Sequence, residues 1–108
     1  MEQVPGHLTV GVQDAPDGPV VSLAGDLDVT TVSLLKDATR EIFEQDAGTE
    51  LVVDVAELAF CDSVGLSALA RLRQDCDQVG WTLRVRNVQP YVRRVLIVSG
   101  LTEYLNAE

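Results

Sequence analysis

The segment between residues 51 and 79 constrains the fold more than any other part of the sequence. It begins with the apolar run Leu51-Val52-Val53-Asp54-Val55, which has the length and composition of one strand buried on both faces. From Val64 onward the apolar residues instead recur at helical spacing. The core-facing stripe of this predicted helix is Leu66, Leu69, Leu72, Cys76 and Val79, and Gly80 ends it. A buried strand leading into an amphipathic helix is typical of a sheet with helices packed against it.

The first 27 residues predict an antiparallel hairpin at one edge of that sheet. Leu8, Val10 and Val12 alternate with polar residues, as in a half-buried strand. The segment Asp14–Pro19 is rich in turn-forming residues and should reverse the chain. The strand that follows is predicted over Val20–Leu27.

A first helix is predicted after Asp28, where the period of the apolar residues changes from two to about 3.6. Thr30 is the predicted N-cap, and Val29 with Leu34 could form a hydrophobic staple. Gly48 is placed to end this helix. Its predicted buried face consists of Val32, Leu35, Ala38 and Ile42.

Another strand and a third helix are predicted downstream. The strand covers Trp81–Val88, with Leu83 and Val85 inward and the intervening arginines outward. Pro90 suits the first turn of a helix that ends at Ser99-Gly100. Val92, Val95 and Leu96 form the predicted buried face of that helix, and residues 101–105 are left unassigned.

The predicted order is strand, strand, helix, strand, helix, strand, helix. Helices that connect neighbouring parallel strands cross in the right-handed sense, which gives a mixed sheet with helices against it. The fold class is therefore α/β, or α+β by stricter schemes. At 108 residues the chain is expected to be one domain over 1–108, with residues 1–7 loosely ordered.

Composition and charge exclude several classes of partner. No apolar run approaches the roughly 20 residues that span a bilayer, so we expect no membrane insertion and a cytoplasmic location. The net charge of −9 argues against nucleic acid and anionic membranes as ligands. Residues 1–54 hold 11 acidic and 2 basic side chains, whereas residues 55–108 hold 6 of each, so the acidic half would favour a basic protein partner.

The residues between the buried strand and its helix suit an anion. Phe60-Cys61-Asp62-Ser63-Val64-Gly65 is predicted to be a loop that enters the helix, beside free backbone N–H groups and the positive helix end. A phosphate would be accommodated there. The simpler alternative is that Asp62 or Ser63 only caps the helix, and both functions can coexist.

The residues required for the common catalytic and cofactor sites are missing. The only histidine is His7, in or before the first predicted strand, and the sequence contains no G-x-S-x-G turn. Neither of the glycine-rich phosphate-binding loops, G-x-x-x-x-G-K-[ST] and G-x-G-x-x-G, occurs. One histidine and two scattered cysteines, Cys61 and Cys76, do not make a zinc site, and buried free thiols are expected. Asp54 could suggest a phosphoaspartate receiver, but the first strand supplies no carboxylates for the metal. Asp54 is therefore expected to bind a neighbouring loop, and we expect no enzyme, no metal and no cofactor.

Four sequence blocks in order resemble the STAS-domain anti-sigma factor antagonists of bacteria. The most specific block is the Asp62-Ser63-x-Gly65-Leu66 motif after the buried strand, and the resemblance extends over roughly residues 8–105. The other blocks are Gly25–Asp28, Leu51–Val55 and the segment from Val95 to Leu101. Position 64 is Val, where the family usually has a small or hydroxyl residue, and position 26 is Asp, where Glu is more common.

The resemblance implies a switch by exchange of partners. Ser63 would be phosphorylated by a cognate anti-sigma factor that is also a serine kinase, and a phosphoserine phosphatase would reverse this. The unphosphorylated chain would bind the anti-sigma factor and free the sigma factor. The resemblance places the partner surface at Asp26, Asp28, Asp62, Ser63, Val64, Gly65 and Leu66.

Two other interpretations remain open at this point. The chain could be a constitutive structural STAS subunit of a larger lipid-transport or stress-sensing complex, without a phosphorylation switch. Four arginines on the predicted helices, Arg71, Arg73, Arg93 and Arg94, are expected to form a solvated face, with a partner contact as the alternative.

Overall fold

A computed structural model describes residues 7–46 and 48–108, and it contains a four-stranded sheet with three helices. The elements are β1 (Leu8–Ala15), β2 (Gly18–Leu27), α1 (Val32–Gln45), β3 (Glu50–Cys61), α2 (Ser63–Val79), β4 (Thr82–Arg86) and α3 (Pro90–Ser99). The strand order is β1-β2-β3-β4. Strand β1 is antiparallel to β2, whereas β2, β3 and β4 run parallel. The predicted mixed α/β sheet and the order of its elements are confirmed.

The hairpin between β1 and β2 is tighter than predicted. The two strands pair from Leu8 with Gly25 to Ala15 with Gly18, so that only Pro16 and Asp17 form the turn. Val12 lies on the same face of the sheet as Leu8 and Val10 but is 52% exposed, because it belongs to the edge strand. The predicted loose residues 1–6 lie outside the described part, but the carbonyl of His7 already accepts a hydrogen bond from the Asp26 N–H at 2.8 Å.

Helix α1 starts one residue later than predicted, after Thr31 rather than Thr30. The residues of the predicted staple, Val29 and Leu34, are both exposed and lie outside the hydrophobic core. The helix ends with Asp46 in the left-handed conformation (φ 48°), so Gly48 is not its cap. On the buried face, Thr39 is more buried than the predicted Ala38, because its hydroxyl donates to the Leu35 carbonyl at 3.0 Å.

Strand β3 is the centre of the sheet and is twelve residues long, more than twice the predicted length. Leu51, Val53 and Val55 have no exposed surface, in agreement with the predicted buried strand. The pairing of β2 with β3 shifts register twice between Ser22 and Asp26. These irregularities break the alternation of apolar residues, which explains why the sequence pattern did not reveal the second half of β3.

Helices α1 and α2 cover the same face of the sheet. Each connects neighbouring parallel strands in the same direction, and right-handed crossovers then place both on one side. They border a common groove of about 530 Å³ that includes Leu35 and Phe43 of α1 and Leu72 of α2. The predicted α2 stripe is confirmed at Leu69, Leu72 and Cys76, but Leu66 is half-buried and Val79 is 48% exposed.

The C-terminal residues that the sequence left unassigned complete the core. Leu105 is fully buried, and Ala107 forms a parallel bridge with Val85 on the outer side of β4. The predicted inward residues Leu83 and Val85 of β4 are buried, as are Val92 and Leu96 of α3. The described residues include no helix of a length and apolar character that would cross a membrane.

Candidate functional site

The junction of β3 and α2 is a single residue, Asp62, rather than the six-residue loop that was predicted. Phe60 and Cys61 belong to the strand, and Ser63 is the first residue of the helix. Asp62 is extended (φ −94°, ψ −174°), and its Oδ1 accepts a hydrogen bond from the Gly65 N–H at 2.8 Å. The capping residue is therefore Asp62, which leaves Ser63 with no part in that bond.

Ser63 is exposed at the amino end of a seventeen-residue helix. The first N–H groups of a helix have no carbonyl partner within it, and the helix dipole places partial positive charge there. The first turn contains no acidic side chain, although the capping Asp62 precedes it directly. A phosphate on Ser63 would meet a favourable helix end on one side and a like charge on the other.

Gly65 allows α2 to approach the end of β2 closely. A Cβ atom at this position would lie 2.4 Å from the Leu27 carbonyl oxygen and 2.9 Å from Cys61 Sγ. The same Leu27 oxygen accepts a hydrogen bond from the Asp62 N–H at 3.2 Å. The end of β2 and the start of α2 are thus held together through Leu27, which brings the predicted Gly25–Asp28 and Asp62–Gly65 segments to one place.

The two aspartates predicted from the resemblance occupy different environments. Asp26 is opposite Phe60 in the pairing of β2 with β3, at the carboxyl ends of both strands. Asp28 accepts hydrogen bonds from the Thr30 hydroxyl (2.7 Å) and the Thr30 N–H (2.9 Å). The hydrogen bond from the Thr30 side chain is the main cause that lowers the pKa of Asp28. Asp28 therefore organises the turn before α1, while Asp26 lies directly beside the β3 end.

Four exposed apolar side chains lie where β2 and β3 end and where α2 and α3 begin, and no sequence pattern marked them as a surface. We call Val29, Phe60, Val64 and Tyr91 the apolar rim; their exposed fractions are 66%, 41%, 39% and 48%. The rings of Phe60 and Tyr91 stack with centroids 6.1 Å apart, which joins the start of α3 to the end of β3. Large exposed apolar side chains next to polar groups are typical of protein-binding surfaces. Tyr91 had no sequence signal, because its position depends on how α3 packs.

Leu66 has a structural role as well as its place in the motif. Its N–H donates to the Asp62 carbonyl at 2.9 Å, and its half-buried side chain packs against the core. Asp62 and Gly65 meet the main chain of Leu27, which follows Asp26, and Ser63 lies between them in the chain, whereas Leu66 packs against the core.

Asp54 binds the neighbouring loop, as the sequence predicted. Its Oδ2 accepts from Asn87 Nδ2 (3.1 Å) and Arg86 Nε (3.3 Å), and its Oδ1 accepts from the Ala56 N–H (3.0 Å). Partial burial alone would raise the pKa of this carboxyl, but the hydrogen bonds from Ala56, Asn87 and Arg86 outweigh it and lower the pKa. Within residues 7–46 and 48–108, no three potential metal ligands cluster together.

The two cysteines are buried free thiols, as predicted. Burial, with a smaller contribution from the charge of Asp62, raises the pKa of Cys61 to about 12. Burial likewise raises the pKa of Cys76 to about 12. Thiols with such pKa values are almost entirely protonated at neutral pH and are poor nucleophiles.

One of the four arginines differs from the predicted solvated face. Arg71, Arg93 and Arg94 are exposed. Arg73 instead donates to the Tyr104 carbonyl oxygen, and its guanidinium lies 4.8 Å from the centroid of the Tyr104 ring. It attaches the C-terminal segment to α2.

Known proteins that resemble this chain in sequence or structure include three anti-sigma factor antagonists. The anti-sigma-F factor antagonist RsfB of Mycobacterium tuberculosis is 35% identical over 74 residues, which cover 68% of this chain and 60% of RsfB. The anti-sigma F factor antagonist of Paenibacillus polymyxa is 30% identical over 76% of this chain and 70% of its own length. The crystal structure of an anti-sigma factor antagonist from Mycobacterium paratuberculosis superposes with a TM-score of 0.84 at 27% identity, covering 98% of this chain and 89% of that one.

The family comparison agrees with these likenesses. A family model described as "Mlab, STAS domain" matches residues 10–106, which include all four strands and the three helices apart from the first two residues of β1. The matched part spans less than two thirds of RsfB but more than two thirds of the Paenibacillus protein. The chain belongs to the STAS-domain family of anti-sigma factor antagonists.

Proposed function

We propose that this chain is an anti-sigma factor antagonist that binds an anti-sigma factor and thereby frees a sigma factor. The observation that carries the proposal is the position of Ser63, exposed at the amino end of α2 directly after the capping Asp62 and before the exposed Val64. The relatives named above support the class of partner. The apolar rim supplies the area that a protein partner would bury.

Phosphorylation of Ser63 by an anti-sigma factor that is also a serine kinase is the proposed switch. The phosphate adds about −1.5 to −2 charges at pH 7. In the free chain, the α2 amino end offsets part of this charge, so the fold should persist. In the complex, the phosphate would be desolvated beside Asp62 and close to the β2 end that carries Asp26, so the partner should dissociate.

In this proposal the chain is modified by another protein and catalyses no reaction itself. Ser63 is a substrate of the partner's kinase, and a separate phosphoserine phosphatase restores the binding form. Asp26, Asp62, Ser63 and Val64 with the rest of the apolar rim form the proposed contact. Gly65, Asp28 and Leu66 act by shaping it: Gly65 allows the close approach of α2, Asp28 organises the preceding turn and Leu66 packs below. We place this exchange in the cytoplasm, with no cofactor.

The test compares Ser63→Ala and Ser63→Asp with the wild-type chain. Titration calorimetry with the cognate anti-sigma factor should show near wild-type affinity for Ser63→Ala, and affinity for Ser63→Asp reduced about ten-fold or more. With ATP present, mass spectrometry should find one phosphate on the wild type and none on Ser63→Ala. Ser67→Asp is the matched control, since Ser67 is exposed on the same helix one turn further on and should bind normally.

Two results would contradict the proposal. If Ser63→Asp bound as tightly as the wild type, or if the wild type gained no phosphate from the kinase, the switch would be wrong. A chain that then co-purified from its native cell with the subunits of a membrane or stress-sensing complex would instead be a constitutive structural STAS subunit.

A further inference from the structure

The outer edge of β1 differs from the opposite edge of the sheet. At β4 the C-terminal segment covers the edge: the Val85 carbonyl accepts from the Glu108 N–H at 2.9 Å, and the Val85 N–H donates to the Asn106 carbonyl at 3.4 Å. No strand or bridge pairs with the outer edge of β1 among the residues that the structure describes. Within residues 7–46 and 48–108, the sheet thus has one covered edge and one open edge.

The open edge lacks the features by which proteins usually prevent pairing between chains. Such features are lysines, prolines, bulges and short strands. Strand β1 is eight residues long, pairs with β2 without a register shift and contains one charged residue, Asp14, near its end. From Leu8 to Gln13 it is uncharged.

The register shows which backbone groups point outward. The His7 carbonyl accepts a hydrogen bond from the Asp26 N–H, so His7 and Asp26 form a hydrogen-bonded pair. Because such pairs alternate with non-hydrogen-bonded ones, every second pair from there to Ala15 with Gly18 is also hydrogen-bonded. The intervening residues direct their N–H and C=O groups away from β2. These residues are Leu8, Val10, Val12 and Asp14.

We propose that β1 pairs antiparallel with β1 of a second copy of this chain, with the two-fold axis at Gly11. In this register Val10 lies opposite Val12 of the second copy, and Leu8 lies opposite Asp14. All four outward-facing residues then form hydrogen-bonded pairs, so the strand is complementary to itself. An isologous interface requires such self-complementarity.

Gly11 suits the position on the axis. In the dimer, Gly11 would lie opposite Gly11 of the second copy in a non-hydrogen-bonded pair, where the two Cα atoms are about 4.5 Å apart. Any residue can occupy such a pair, and glycine adds no side-chain bulk at the axis. Within one chain nothing explains the glycine, because an added Cβ would meet no atom within 4 Å and the backbone does not have a positive φ.

The dimer would cover apolar surface and leave the serine site free. Val12, now 52% exposed, would lie against Val10 of the second copy on the face that α1 covers. The two sheets would join into one sheet of eight strands. The carboxyl ends of β2 and β3 in one copy would lie at the opposite end of the strands from those of the second copy. Each Ser63 would remain accessible, so this inference stands apart from the proposed function.

Sedimentation and light scattering over a concentration series test the dimer. One pair of strands makes a small interface, so the dimer should be weak. The apparent mass of the wild type should rise with protein concentration and approach twice its 11.7 kDa monomer mass before about 1 mM. Added salt should tighten the dimer by screening the −9 charge of each chain. A wild type that stays monomeric throughout would overturn the proposal.

Charge substitutions at Gly11 locate the axis. Gly11→Lys and Gly11→Asp should each be folded monomers, because like charges would meet at the axis, whereas an equimolar mixture should form a heterodimer. Ser22→Lys is the matched control: it places the same charge opposite Gly11 on β2, away from the edge, and should still dimerise.

A backbone substitution gives an independent test. Val12→Pro removes an outward N–H that no residue of β2 uses, so the monomer should fold while the dimer dissociation constant rises about ten-fold or more. Circular dichroism checks the fold of each variant. A dimer that persists in Gly11→Lys or in Val12→Pro would place the interface elsewhere and refute the proposal.

Discussion

Single residues at the β3–α2 junction have separate tasks that the sequence motif combines. Asp62 caps the helix, Ser63 is exposed beside it, and Gly65 permits contact with the Leu27 carbonyl. Only the serine is free of a structural role in these contacts. This division explains how a modified residue can change its charge without losing a bond that holds the domain together.

Gly65→Ala should reduce the free energy of unfolding by about 1–3 kcal/mol, because the new methyl group must displace backbone at Leu27. Gly11→Ala is the matched control at concentrations where the chain is monomeric, since a Cβ at Gly11 has open space within one chain and should cost almost nothing. Urea unfolding of both variants gives the measurement. Equal stability of the two variants would mean that α2 can move away from β2 at no cost.

At the level of elements, the length of β3 determines where the site lies. The strand continues past the bulged region to Cys61. Ser63 therefore lies close to the carboxyl end of β3, at the start of α2, rather than on a long loop. Asp54, near the middle of the strand, connects it to the end of β4 through Arg86 and Asn87. These contacts hold the two strands in register below the site.

The contacts of Asp54 should make the stability of the domain depend on pH. Because the folded-state pKa lies below the ordinary value of 3.8, the ionised form is favoured by folding. Its contribution is present above about pH 5 and is lost as the pH falls through the folded-state pKa. Asp54→Asn should therefore be less stable than the wild type at pH 7, and this difference should shrink by pH 3.

Thermal unfolding of both proteins between pH 7 and pH 3 measures this effect. Glu57→Gln is the control, since it removes the same charge from an exposed position on the same strand. The interpretation of Asp54 would be wrong if the difference in melting temperature between Asp54→Asn and the wild type were the same at all pH values.

At the level of the whole molecule, the two edges of the sheet differ within the described residues. The C-terminal segment covers β4, with Leu105 buried and Asn106 Nδ2 donating to the Leu83 carbonyl at 2.8 Å. The β1 edge remains open in the described structure. One edge therefore contributes to the stability of the monomer, and the other is available for a second copy.

Leu105→Ala should destabilise the domain by about 2–5 kcal/mol, because it leaves a cavity in the core, where Leu105 is fully buried. Leu34→Ala is the matched control, since Leu34 is 45% exposed on α1 and its truncation should have a small effect. Denaturant unfolding compares the two. Similar losses would show that the segment contributes little to the core.

The sequence by itself determined the fold class, the order of the elements and the motif that contains Ser63, because apolar periodicity and turn residues are local properties. It did not reveal the second half of β3, where bulges break the alternation, or the C-terminal segment, whose burial depends on distant partners. Tertiary structure alone decided that Gly65 contacts Leu27 and that Phe60 stacks on Tyr91. These contacts join residues from separate elements, and only the packing of the chain brings such residues together.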